Sequence, residues 1–446
     1  MILLYNGLLV NEGKVAKGYV AIRGERIAEV GFGEPTEQLM ADANDRVDVA
    51  GDYILPGAID DQVHFREPGL THKADIESES RAALVGGVTS YMDMPNTNPQ
   101  TVTVQALDAK YARAAEVSHV NYSFYMGATN DNVNEVKRVD FSRVCGVKAF
   151  LGSSTGNMLI DNQATLQSLF SEVDAIIAIH SEDEAIIRAN RERYQLEYGD
   201  DVPLALHPLI RSAEACYECT SRAVGLASRY GSRLHVLHLS TAKELSLFDS
   251  RPLKDKRITA EVCVHHLWFA DADYATKGSR IKCNPAVKTL ADREALREAL
   301  RDGRLDVVAT DHAPHLLNEK QGGALKAASG MPLVQYSLLA MMEMAQQGIF
   351  TMQQVVEKMC NAPAELYRVS HRGYLRKGYF ADVVVVHHDD EGHVVSDADV
   401  VSKCGWTPFA GETLHHSVRR TYVNGALAYC DGVVDESVRG SRLLFM

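Results

Sequence analysis

Apolar and polar positions divide this chain into two ends of short alternating runs and a long middle of apolar runs interleaved with helical patterns. Residues 2–5, 18–22 and 26–30 read as strands punctuated by Asn6-Gly7 and Gly24, and nothing there suggests chemistry. From about residue 373 the pattern returns, with Val-rich 381–386 and then 417–423 leading into the Asn424-Gly425 turn. The two ends, 1–54 and 373–446, are expected to pair into one small β-sandwich.

In the middle, 55–372, eight apolar runs predict parallel strands: 54–64, 88–94, 122–127, 144–151, 175–180, 234–239, 258–265 and 305–310. Helical patterns such as 212–230 and 291–301 lie between them, as βαβ units require. Eight such units predict an α/β fold, a closed (β/α)8 TIM-like barrel. Nearly every run ends in His, Asp, Asn or Lys, at the end where barrels of this kind carry their active sites.

Composition narrows the function. With 446 residues, 46% hydrophobic and 24% charged, the chain reads as a globular enzyme rather than a disordered or fibrous one. A formal net charge of −13 with no Lys/Arg-rich run excludes nucleic acid as the main ligand, so an anionic substrate must be held by a few placed cations. Eight scattered cysteines, with Cys216 and Cys219 lacking a second pair, suggest reduced thiols and a cytoplasmic setting rather than disulfides or a thiolate zinc site. No export or membrane signal is read in the sequence.

The chemistry-bearing residues fall one per strand end. With period-2 alternation, Asp60, Gln62, His64 and Arg66 share one face of the first strand, while Asp61 and Val63 take the other. A lone histidine there would more often be structural, so other strands must supply the case for metal. Lys148 stands in an apolar strand where an unpaired ammonium is costly; either a carboxylate pairs with it, or its amine is a carbamate whose two oxygens bridge cations. His180 ends its run. By parity His235 and His238 face opposite ways, so at most one lines the mouth. Asp311 closes the last run, placed to ligate metal and to shuttle a proton. Imidazoles and carboxylates without thiolate suit Zn²⁺ or a similar divalent ion in an open catalytic site.

Over nearly its full length the chain resembles the amidohydrolase superfamily and, within it, the dihydroorotases. The strings that carry this are IDDQVHFREPG at 59–69, MPNTNP at 94–99, Gly86-Gly87-Val88-Thr89, His265-His266-Leu267, Lys282-Cys283-Asn284-Pro285 and DHAPH at 311–315, with tail segments 378–384 and 405–424. The resemblance implies that His64, carbamylated Lys148, His180, His238 and Asp311 are metal ligands, with the carbon dioxide-derived carbamate bridging two zinc ions. It selects His238 over His235. It further implies that Arg66, Asn96, Asn284 and His315 hold the substrate, Arg66 facing a carboxylate, and that Asp311 relays the catalytic proton. The implied reaction is reversible hydrolysis of dihydroorotate to carbamoyl aspartate, in pyrimidine biosynthesis. Homodimerisation and association with aspartate transcarbamoylase are the implied protein contacts.

The sequence departs from the family pattern at Gln62, where His-x-His is normal on the first strand. A neutral amide is the weaker zinc donor, which leaves one ion or two as alternatives. Other cyclic amidases, of allantoinase or dihydropyrimidinase type, and a non-catalytic partner of aspartate transcarbamoylase are the competing readings. Residues 316–331 read as a long loop after the last strand, positioned to cover the site.

Overall fold

The computed structural model describes residues 1–152 and 158–446. Each of the eight apolar runs carries one strand of a parallel barrel: Ala58–Val63, Val88–Asp93, Asn121–Phe124 continued by Met126–Gly127, Val147–Phe150, Ile176–His180, Arg233–Val236, Ile258–Cys263 and Val307–Ala309. These strands are rich in Val, Ile and Ala because both faces are buried, one against helices and one inside the barrel. The ring closes where His64 N donates to His312 O at 2.7 Å. Ile59, Met92, Tyr125, Ala178, Leu237 and Val307 pack together in the interior.

Capping sets the surrounding helices. Ala213–Tyr230 starts where Ser212 accepts from Ala215 N and stops at Gly231, which takes φ +68°. Leu290–Asp302 begins with a capping box between Thr289 and Asp292.

Run 54–64 is two strands in two sheets. Tyr53–Pro56 pairs with Ile2–Asn11 and Val383–Val394 in the terminal sheet, and the barrel strand starts at Ala58. Gly57 makes the joint, since a Cβ there would meet Thr89 Oγ1 at 2.0 Å. The terminal sheet has nine strands drawn from both ends of the chain. Asn6-Gly7, read as a turn, is instead a bulge within Ile2–Asn11; the hairpin turn is Glu12-Gly13. Asn424-Gly425 does form its turn, both residues having positive φ.

After the terminal sheet the chain returns to the barrel. Gly440 N donates to Ser118 O, Leu443 N to Tyr122 O, and Phe445 pairs with Val369. All eight cysteines are free thiols. Among the described residues no helix is long and apolar enough to cross a membrane.

Candidate active site at the carboxyl ends of the barrel strands

Gln62, His64, Arg66, Asn96, Lys148, His180, His238, Asn284, Asp311 and His315 all line one cavity of about 320 Å³, together with Phe150 and the segment Ala328-Ser329-Gly330. That segment ends the long connection after the last strand. The connection is not a bare loop; it contains the helical turns Leu317–Lys320 and Gly323–Lys326. Lys320 Nζ holds its end by donating to Lys282 O, Ala328 O and Gly330 O at 3.0, 2.8 and 2.6 Å, and Lys282 Nζ donates to Ala327 O.

Three of these residues sit in the left-handed backbone region that L side chains avoid: Arg66 at φ +68°, His238 at +41° and Asp311 at +50°. Each follows the end of its strand, so the chain turns over the barrel rim and brings the side chain onto the cavity. Such strain survives only where the surroundings enforce it, and it clusters at functional positions.

The polar groups meet in a manner that suits a cation. Asn96 Oδ1 accepts from His64 Nδ1 at 2.8 Å, which leaves the lone pair of Nε2 directed at Asp311 Oδ1, 3.0 Å away. Two acceptors face each other there, and a proton or a metal ion must lie between them. Gln62 Nε2 donates to the same Asp311 oxygen at 3.2 Å. Across the cavity His180 Nδ1 and His238 Nε2 stand 3.0 Å apart, and buried His238 Nδ1 has no partner. Glu182, itself ion-paired with Arg211, stands 3.1 Å from His180 Nε2, near the place a carboxylate takes behind a metal-bound histidine, although the pair does not meet hydrogen-bond geometry.

Protonation favours ligation too. Burial, then the charges of His180 and Lys148, hold His238 far below the usual imidazole range, so it is neutral. Burial opposes charge on Asp311, but the bond and charge of His64 outweigh it and keep the carboxyl below its ordinary value. Burial lowers Lys148 to about 7; the carboxylates of Asp311 and Glu261 act on it from a distance, and its ammonium lies 4.7 Å from the Phe150 ring. A lysine with that value offers a neutral amine near pH 7, which carbamate formation requires. Gln62, His64, Lys148, His180, His238 and Asp311 therefore fit a metal centre.

One wall of the cavity carries the Arg66 guanidinium, and beside it Lys73 is ion-paired with Glu319 at 2.8 Å. Arg66 donates through Nε to Pro314 O at 3.1 Å and lies 3.1 Å from His315 Nε2, while Lys73 Nζ stands 3.0 Å from His315 Nδ1. Burial, and then Arg66 and Lys73, hold His315 neutral. Asn284 Oδ1 is buried without a hydrogen-bond partner.

Two parity expectations fail for one reason each. The barrel strand Ala58–Val63 carries a register shift between Asp60 and Val63, so Gln62 turns inward beside Asp61, which follows Ile59 inward, while Asp60 bonds Thr310. His235 and His238 are both inward as well, because the strand ends at Val236; His235 lies deeper, 3.3 Å from Asp61. Lys73, Glu182, Arg211 and Glu261 are additional polar groups in or behind the site. Glu261 carries the signal used for Lys148, a charge inside an apolar strand, whereas Lys73 reaches His315 across 242 positions and leaves no local trace.

The chain is similar to known proteins along most of its length. The chain is 35% identical over 396 residues to a dihydroorotase of Halobacterium salinarum, covering 88% of this chain and 89% of that protein. It is 30% identical over 431 residues to an allantoinase of Bacillus velezensis, covering 95% and 92%. Its fold superimposes on an L-hydantoinase of Arthrobacter aurescens with a TM-score of 0.91 at 24% identity, over 97% of both chains. The profile of the Amidohydrolase family matches residues 53–428, and the chain belongs to that family.

Proposed function

We propose that this protein is a dihydroorotase, a zinc-dependent cyclic amidase that interconverts dihydroorotate and carbamoyl aspartate in pyrimidine synthesis. One observation carries the choice of substrate: Arg66 is only 6% exposed, lines the cavity, and has no ion-paired carboxylate among the described residues. A buried guanidinium without a counter-ion is expensive, and a substrate carboxylate bound by its planar fork supplies one. The similarity to dihydroorotases supports the same reading.

The residues divide the work. Arg66 binds the carboxylate, neutral His315 and Lys73 stiffen that wall, and Asn284 Oδ1 accepts from a ring N–H. Asp311 takes the proton of the attacking water and delivers it to the leaving ring nitrogen; in ring closure it runs the same path backwards. His64, carbamylated Lys148, His180, His238 and Asp311 would hold a divalent ion, which would supply Lewis acidity when bound. Gln62 contributes a neutral donor.

Similarity to allantoinases makes a ring without this carboxylate the competing substrate. Ultraviolet-monitored opening of dihydroorotate by the zinc-supplemented protein, run beside allantoin and dihydrouracil, decides between them. Turnover of dihydroorotate with Asp311→Asn nearly inactive supports the assignment. Preference for either uncarboxylated ring overturns it.

A further inference from the structure

Below the cavity, inside the barrel, Asp61, His235 and Glu261 form a second polar cluster that the reaction above does not use. All three side chains are 0% exposed. Both Asp61 carboxylate oxygens, His235 Nε2 and Glu261 Oε2 lack hydrogen-bond partners. The neighbours bond elsewhere: Tyr125 donates to the Asp61 carbonyl, and Cys263 Sγ and His238 N donate to the other Glu261 oxygen. Leaving so many buried acceptors unsatisfied is costly in a native core.

The orientation of His235 sharpens the point. The Thr259 hydroxyl donates to Leu234 O, so it accepts from His235 Nδ1–H at 2.9 Å. The remaining nitrogen, Nε2, then faces two carboxylates, 3.3 Å from Asp61 Oδ2 and 3.7 Å from Glu261 Oε2. Burial opposes charge on this imidazole, but Asp61 and Glu261 raise it to about 9, so a cation bound there takes the place of a proton. Both distances exceed the usual span of an N–H···O bond, about 2.7–3.2 Å. They match the separation of about 3.4 Å between ligand atoms around one tetrahedral ion at about 2.1 Å. One ligand atom from each residue lies within 4.8 Å of the others.

We propose that Asp61, His235 and Glu261 bind a divalent cation of the zinc class at the barrel floor, distinct from the metal centre at the mouth. Once such an ion displaces the Nε2 proton of His235, two carboxylates and a neutral imidazole make an uncharged unit with it, which a dry interior tolerates. Asp61 and His235 each precede a mouth residue of their own segment, His64 and His238, by three positions, which sets the floor apart from the mouth. Asp61 follows Ile59 inward, and the register shift then brings Gln62 to the mouth above it. With its ligands inaccessible to solvent, the floor ion enters as the barrel closes and leaves slowly.

Anomalous diffraction above and below the zinc edge, from crystals of the full chain grown with zinc, tests this without reference to activity. The expected result is a peak bounded by Asp61, His235 and Glu261, whatever the mouth contains. Absence of that peak overturns the proposal and assigns a shared proton to the cluster. In solution, a His64→Ala/His180→Ala variant should retain about one equivalent of zinc after brief chelation, and Asp61→Asn added to it should release that equivalent. Complete loss from the folded double variant overturns the proposal as well. Neither readout depends on which ring is the substrate.

Discussion

Replacing Lys148 by Met should stabilise the metal-free, carbon dioxide-free protein while abolishing its activity. In the unfolded chain the amine keeps its ordinary value of 10.5, and in the folded protein burial lowers it to about 7. Between those values the unfolded state binds the extra proton. Stability therefore rises with pH across that window, and the full penalty applies below it. At about 1.36 kcal/mol per tenfold change in proton affinity, the naked lysine costs about 5 kcal/mol near pH 6 and about 2 kcal/mol at pH 9. Methionine fills nearly the same volume without the charge, so urea titrations should show the wild type gaining about 2 kcal/mol between pH 7 and 9 relative to the variant. Parallel stability profiles would refute the assignment of a buried, proton-shedding amine. Bicarbonate with zinc should remove the wild-type slope, because a modified lysine no longer titrates there.

Arg66→Lys keeps the charge but loses the fork, and should raise the KM for dihydroorotate about tenfold or more with zinc content unchanged; equal KM values would remove Arg66 from carboxylate recognition. Gln62→His introduces an imidazole beside Asp311 and should raise zinc retention at the mouth, read by dialysis against a chelator. Lys320→Met removes three bonds to backbone carbonyls and should loosen Ala328-Ser329-Gly330 at the cavity, raising KM more than it lowers kcat. Unchanged kinetics in that variant would show that the connection positions itself without the lysine.

The barrel was legible because a strand buried on both faces must be apolar throughout, and eight such runs stand out against amphipathic helices. The mouth residues were legible because a charge at the end of an apolar run needs a reason, as at Lys148 and Asp311. What stayed hidden depends on departures from constant period. The shift between Asp60 and Val63 puts Gln62 on the same side as Asp61, and no rule of alternation anticipates it. The bulge at Asn6-Gly7 mimics a turn for the same reason. Pairings such as Lys73 with His315, or Arg211 with Glu182, are products of closure and have no local pattern.

The return of residues 440–446 to the barrel bears on any attempt to isolate its parts. Ser441 donates both N–H and hydroxyl to Asn121 Oδ1, and Asn121 in turn donates to the carbonyl of Thr89 and to Asp382, which immediately precedes the terminal-sheet strand Val383–Val394. A fragment cut at 55 and 372 would strand Asn121 and bare the backbone of Ser118 and Tyr122. Opening the chain at the exposed Gly199–Asp200 turn would leave those bonds in place.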